Sequence, residues 1–429
     1  MAKITQIIAH EIIDSRANPT IETKIVLDDG TIATASVPSG ASVSQHEAVE
    51  LRDGDPNRYN SMGVSKAVNH VTSILGPGLI GVDPTMQLEI DRWMIKIDGT
   101  PNKSRFGANA ILSISLALAR AASLTLHMPL YYYVQELYKK VGGNSPITKI
   151  PTPIFNVING GKHGAGNLDF QEFHLIPSTA KQFSEALQMG VELYHRVKKV
   201  LIDKNAIHSV GDEGGFAPDL YTNLDALEIL TQAVKESRYQ FGEDAFIGLD
   251  VAASNFYKKD QYKIRDKPQA ISREQYVDFL VDLNNQYHLL LLEDPLSEDD
   301  WEGWKMLMAK IGQSVVMVGD DLLATNMTLL KKAIKEKVCS AILVKPNQIG
   351  TLTETLEVVK TAKENGFKTI TSHRSGETTD SFIADFAVGA QTDYVKFGAP
   401  ARGERVVKYN RLLDIETELL ASINVQPSK

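Results

Sequence analysis

Apolar and polar residues alternate over residues 4–13 and again over 19–27. That is the period of strands with one buried face. Asp28-Asp29-Gly30 supplies a turn, and residues 31–37 read as a third strand, which completes an antiparallel meander. The period then changes. Helical spacing is predicted over 64–74, 86–96 and 108–126, and the last of these is apolar on nearly every side, so it should be buried, at a domain interface. Residues 141–153 carry three prolines and two glycines and read as a linker. Residues 1–140 are therefore expected to form a smaller α+β domain, and 141–429 a second one.

Beyond the linker, short runs with no polar alternation take turns with amphipathic segments. Such runs fit strands buried on both faces, as in a parallel sheet. They fall at 154–158, 170–176, 246–249, 289–292, 315–318, 341–344, 369–371 and 394–395. Helices are predicted at 180–204, 224–237, 273–286, 329–337 and 352–365. About eight strands with crossover helices fit a modified (β/α)8 barrel of the TIM type. The first two strands are joined by a loop alone, a departure from strict alternation. An open doubly wound sheet is the competing architecture.

Composition narrows the class. The 429 residues suffice for two large cores. A net charge of −8 argues against nucleic-acid binding, which calls for a basic stripe. The single cysteine, Cys339, has no internal partner and heads an apolar run, so it reads as a buried structural thiol in a reducing compartment. The N-terminus lacks the architecture of a secretory signal, and no apolar stretch approaches the roughly 20 residues that span a bilayer. The expectation is a cytoplasmic protein with no membrane insertion.

In a barrel of this kind chemistry gathers at the C-terminal ends of the strands. Those ends are far from random here. Three successive strands run out into Asp250, Glu293-Asp294 and Asp320-Asp321, the next into Lys345, the next into His373-Arg374-Ser375 and the last into Lys396. Like charges on one rim repel unless a cation sits among them. An all-oxygen donor set selects a hard ion, Mg²⁺ before Ca²⁺ or Mn²⁺. The ordinary alternative is that each acid caps the helix that follows it. Arg374, Ser375 and Lys396 suit an anion such as phosphate or carboxylate, unless Arg374 simply neutralises an acid. Lys396 and a nearby metal should lower the pKa of Lys345 and free it as a base. Glu213, in Gly211-Asp212-Glu213-Gly214-Gly215, has the type of a general acid, or is only a turn residue. His163 lies among glycines that let backbone approach a ligand, although a lone loop histidine is commonly a surface residue.

Taken together, NVINGGKH, DFQEF, VGDEGGFAP, LDVAAS, LEDPL, GDDLLATN, VKPNQIGTLTET, SHRSGET and FGAPARGERVVKYN, with DSRANPT and VPSGAS near the start, resemble the motif series of the enolase family, in order and along essentially the whole chain. The resemblance implies a small α+β lid domain before a modified eight-stranded barrel, and reversible dehydration of 2-phospho-D-glycerate to phosphoenolpyruvate in glycolysis and gluconeogenesis. It implies Lys345 as the proton-abstracting base and Glu213 as the proton donor. It assigns substrate contacts to His163, Gln171, Glu172, His373, Arg374, Ser375 and Lys396, and the metal ligands to Asp250, Glu293 and Asp320. A second Mg²⁺, bound with substrate, would use Ser42. It further implies a homodimer, in some members an octamer. Two competing readings are an acid dehydratase of the wider superfamily and a divergent paralogue that binds host proteins at a cell surface or after secretion without a signal peptide. The chain departs from the family pattern at Ala17, Val43, Ser44, Pro346, Phe397 and Gly403. Pro346 should leave Lys345 extended and pointing at the acids.

Overall fold

A computed structural model describes residues 2–40, 44–164 and 168–424. The chain begins with three antiparallel strands, β1 (Ile4–Ile13), β2 (Pro19–Leu27) and β3 (Ile32–Ser36), in that spatial order. Along β2, Ile21, Thr23, Ile25 and Leu27 face inward, which places the buried face of the meander against the helix Ala108–Thr125. Thr23 Oγ1 meets Ser113 Oγ at 2.6 Å across that contact. Small residues on the helix, Ala110, Ala117 and Ala121, let the sheet approach closely. By length and composition this helix is apolar enough to cross a membrane, contrary to the expectation that no stretch comes near. It is 83% buried inside the protein, as a core helix should be.

The second unit is a closed barrel. Its strands are β4 (Thr152–Asn159), β5 (Glu172–Pro177), β6 (Ala245–Asp250), β10 (Leu291–Glu293), β11 (Val316–Gly319), β12 (Ala341–Val344), β13 (Lys368–Ser372) and β14 (Tyr394–Lys396). A small side sheet, β7 (Tyr257–Lys258), β8 (Gln261–Tyr262) and β9 (Ile271–Ser272), interrupts the series. Each of the eight expected strands is present, and they close into the expected barrel rather than the competing open sheet. The first two follow each other directly, as the sequence suggests, but the consequence is larger than a missing helix: β5 runs antiparallel to both β4 and β6. The other neighbours are parallel.

Ile154, Ile176, Leu291, Val318, Leu343 and Ile370 fill the inside of the barrel as a cluster of their own. The barrel is thus packed, not hollow, and its chemistry is confined to the rim. Cys339 is buried and burial pushes its thiol up, which fits a structural role.

Candidate active site

The rim is built by strand register. Glu293 at the end of β10 lies level with Asp250 at the end of β6, and Ser372 at the end of β13 is level with Lys396 of β14. Because β5 is reversed, its first residue, Glu172, lies beside Asp250. Gln171 donates from Nε2 to Asp250 Oδ2 at 3.2 Å. One cleft is lined by Gln171, Glu172, Glu213, Asp250, Asp320, Lys345, His373, Arg374, Ser375 and Lys396. The residues singled out at separate strand ends therefore meet, Glu293 through its contact with Lys396 rather than in the lining itself. The exceptions are Ser42, which lies outside the described residues, and His163, which closes the turn Gly161–His163 but whose side chain also lies outside them.

Two buried lysines answer the acids. Lys396 Nζ lies 2.8 Å from Glu293, 3.0 Å from Glu172 and 3.4 Å from Asp250. Burial works against its charge, yet these three carboxylates hold its pKa well above the usual lysine range. Lys345 Nζ lies 2.5 Å from Asp320 Oδ2, so its ammonium points at the acids as expected. The peptide around it is regular: Lys345 is extended (φ −126°, ψ 105°), and Pro346 opens the short helix Pro346–Ile349, where a missing amide costs nothing. The protein's own side chains do not produce the lowering of the Lys345 pKa that was expected from Lys396 together with a metal. Burial, Arg374 and Lys396 do push it down, but the Asp320 contact outweighs them and it is raised.

The acids behave as a set short of positive charge. Burial drives Asp250 up, and burial with Asp250 drives Glu293 well up. Asp320 is pressed upward by burial, but Lys345 leaves it lower than usual. Gln171 Oε1 is a buried acceptor without a partner among the described residues. Carboxylate and amide oxygens of this kind fit a hard divalent cation. A tighter trio, Asp294, Asp320 and Asp321, has its oxygens within 4.8 Å of one another. Asp294 is a turn holder in it, because its two oxygens accept the amides of Asp320 and Asp321 at 3.0 and 2.7 Å.

Across the cleft, His373 Nε2 lies 3.2 Å from Glu213 Oε2, which also accepts Asn156 Nδ2 at 3.1 Å. Burial pushes the imidazole below its usual range. Arg374 is held by residues the sequence reading did not single out. Its guanidinium takes Glu47 of the small domain at 2.9 and 3.3 Å, and Asn347 Oδ1 at 3.0 Å. Gln348 links Glu47 to Asp320 through Nε2, at 3.3 and 3.2 Å. Ser44 Oγ donates to Glu298 at 2.7 Å, and Ser39 pairs with Gly376. The small domain thus closes over the rim through side chains distant in sequence. The one legible signal was the Asn347-Gln348 pair that follows Lys345-Pro346.

Family comparison agrees with this architecture. Residues 4–134 match the family model described as the enolase N-terminal domain, and residues 147–426 match the enolase C-terminal TIM barrel domain. A curated protein named enolase from a Nitratiruptor species is 46% identical over 420 residues, 98% of each chain. Another, from Ehrlichia canis (strain Jake), is 47% identical over 416 residues, 97% of this chain and 96% of its own. The enzymes of this family use divalent metal, in keeping with the acid-rich rim. This chain belongs to the enolase family.

Proposed function

We propose that the chain interconverts 2-phospho-D-glycerate with phosphoenolpyruvate and water, as a glycolytic hydro-lyase. The observation that carries the reading is the pair of opposed groups in one cleft: Lys345 against Asp320 on one side, and Glu213 against His373 on the other. Elimination needs a base at one carbon and an acid at the next. Lys345 takes the proton from C2, next to the carboxylate, and the electron pair moves into that carboxylate as an aci-carboxylate. The pair then forms the C2–C3 double bond, and the C3 hydroxyl leaves with the proton of Glu213 as water. Lys396 keeps its charge and faces the carboxylate end. Arg374 and Ser375 hold the phosphate, and His163, Gln171, Glu172 and His373 complete the substrate contacts.

Asp250, Glu293 and Asp320 would hold one Mg²⁺, and Ser42 would serve a second that arrives with substrate. Bound there, the cations would supply positive charge to offset the aci-carboxylate. The protein would work in the cytoplasm as a homodimer, with an octamer as a larger assembly, on a small-molecule substrate and without nucleic acid or membrane. Purified protein with Mg²⁺ should convert 2-phosphoglycerate to phosphoenolpyruvate, followed as rising ultraviolet absorbance. No conversion above that of a Lys345→Ala control would reject the proposal.

A further inference from the structure

Arg405 lies in the first turn of the helix Gly403–Asn424 and is wholly buried, one of the largest side chains in that state. Its guanidinium lies behind the cleft, on the far side of His373. One terminal nitrogen reaches His373 Nδ1 at 2.8 Å and the Arg374 carbonyl at 2.6 Å. The other reaches the Ser375 carbonyl at 2.6 Å and the Asp212 carbonyl at 3.2 Å. One side chain therefore ties the loop that carries Glu213 to the segment that carries His373, Arg374 and Ser375.

The chemistry of the donor decides the histidine. A guanidinium only donates, so the nitrogen facing it must be a bare acceptor. Nδ1 of His373 then has no proton and the ring's hydrogen sits on Nε2, which faces Glu213. We propose that Arg405 is a positioning residue that locks His373 as the neutral Nε2–H tautomer, and thereby turns a donor, not a lone pair, toward Glu213 Oε2. The inference rests on the reading of Glu213 as the general acid. Asn156 Nδ2 reaches the same Oε2, so both of these neighbours of that oxygen are donors. The His373–Glu213 contact is short but not aligned as a hydrogen bond, so the ring's orientation depends on its other side. That side is rigid. A Cβ on Gly398 would come within 2.9 Å of His373 Cε1 and 3.2 Å of Arg405 Cδ, and φ there is +83°, so glycine is required where the ring and the guanidinium pack. Burial and the charge of Arg405 both oppose an imidazolium, against the pull of Glu213 and Glu172.

The test reads the tautomer directly. Long-range ¹H–¹⁵N spectra of histidine-labelled protein, with the His373 signals assigned by their loss in His373→Asn, should show a bare Nδ1 and a protonated Nε2 across about pH 6 to 9. Arg405→Met should mix the tautomers and cut kcat by at least about tenfold with KM little changed. Arg405→Lys, which keeps a donor, should recover part of both. A parent spectrum with the proton on Nδ1, or an imidazolium in that range, overturns the proposal whatever the activity. So does an unchanged tautomer in Arg405→Met. If Arg405→Met fails to fold, the parent and Arg405→Lys spectra decide. The expected tautomer in a protein without dehydratase activity would support the tautomer lock while rejecting the assigned reaction.

Discussion

Lys345 and Lys396 stand at the ends of β12 and β14, and each is a lysine left where an apolar strand meets the rim. Their surroundings differ in kind. Lys396 is caged by Glu172, Asp250 and Glu293, with 3% of its side chain exposed. Lys345 has Asp320 as its ion-pair partner, and both side chains keep 12% exposure. Three partners make a fixed countercharge that has little reason to release a proton. One partner, itself drawn on by whatever else binds Asp320, makes a group that can. Burial alone does not make a base; the number of counter-ions separates the two.

The strongest way to break this comparison is to remove the base. Lys345→Ala should cut turnover by about 10²–10⁴-fold, or roughly 3–5 kcal/mol in the barrier. Its unfolding midpoint in urea should move less than that of the next variant, because Asp320 retains Gln348 and some water. Lys396→Met should cost about 3–5 kcal/mol in the metal-free protein, since it strands buried carboxylates. Added Mg²⁺ should restore more stability to Lys396→Met than to the parent, as seen in the shift of its denaturation midpoint. Equal shifts would mean that the lysine and the cation do not share those acids.

Asp91 sharpens the contrast from the other side, as a wholly buried carboxylate served, among the described residues, by neutral donors. It accepts Thr353 N and Oγ1 at 3.1 and 2.6 Å, and Gln87 Nε2 at 3.2 Å. Burial raises its pKa to about 6. The unfolded chain gives up this proton near 4 while the folded one keeps it to about 6. Stability should therefore fall by about 3 kcal/mol as pH rises through that window and be constant above it. Asp91→Asn should flatten this part of the profile in thermal melts across pH 4 to 7. The smallest effect tests a residue that does not line the cleft. Ala17 sits at φ +58° in the loop that docks on Glu377. Ala17→Gly should add about 0.5–1 kcal/mol of stability and leave turnover alone. A change in turnover would mean that the docking loop participates in chemistry.

Much of this was legible beforehand because it is local. β2 alternates from Ile21 to Leu27 and β12 is an uninterrupted apolar run, so both are read from period alone, whereas β1 alternates only loosely. The helices Leu130–Lys140, Trp301–Ile311, Phe382–Gly389 and Gly403–Asn424 escaped the pattern. Phe382–Gly389 shows why: it is buried on nearly all sides, so no polar stripe marks its period. Phe397, a departure from the family pattern, is fully buried with its ring 6.0 Å from that of Tyr409, and it serves as core beneath the rim rather than as part of the cleft.

By itself the sequence determined the order of the barrel strands and the type of charge at each strand end, since both depend on neighbours in the chain. It also carried the family, through motifs that run its whole length. Only the tertiary structure decided that β5 is reversed, which brings Glu172 to the rim, and that Glu47 of the small domain grips Arg374. It alone set Lys345 against one acid and Lys396 against three, and placed Arg405 behind His373. The reason is physical: periodicity reports which face of an element is buried, whereas charge balance and proton position depend on distances between groups hundreds of residues apart, which exist only once the barrel closes.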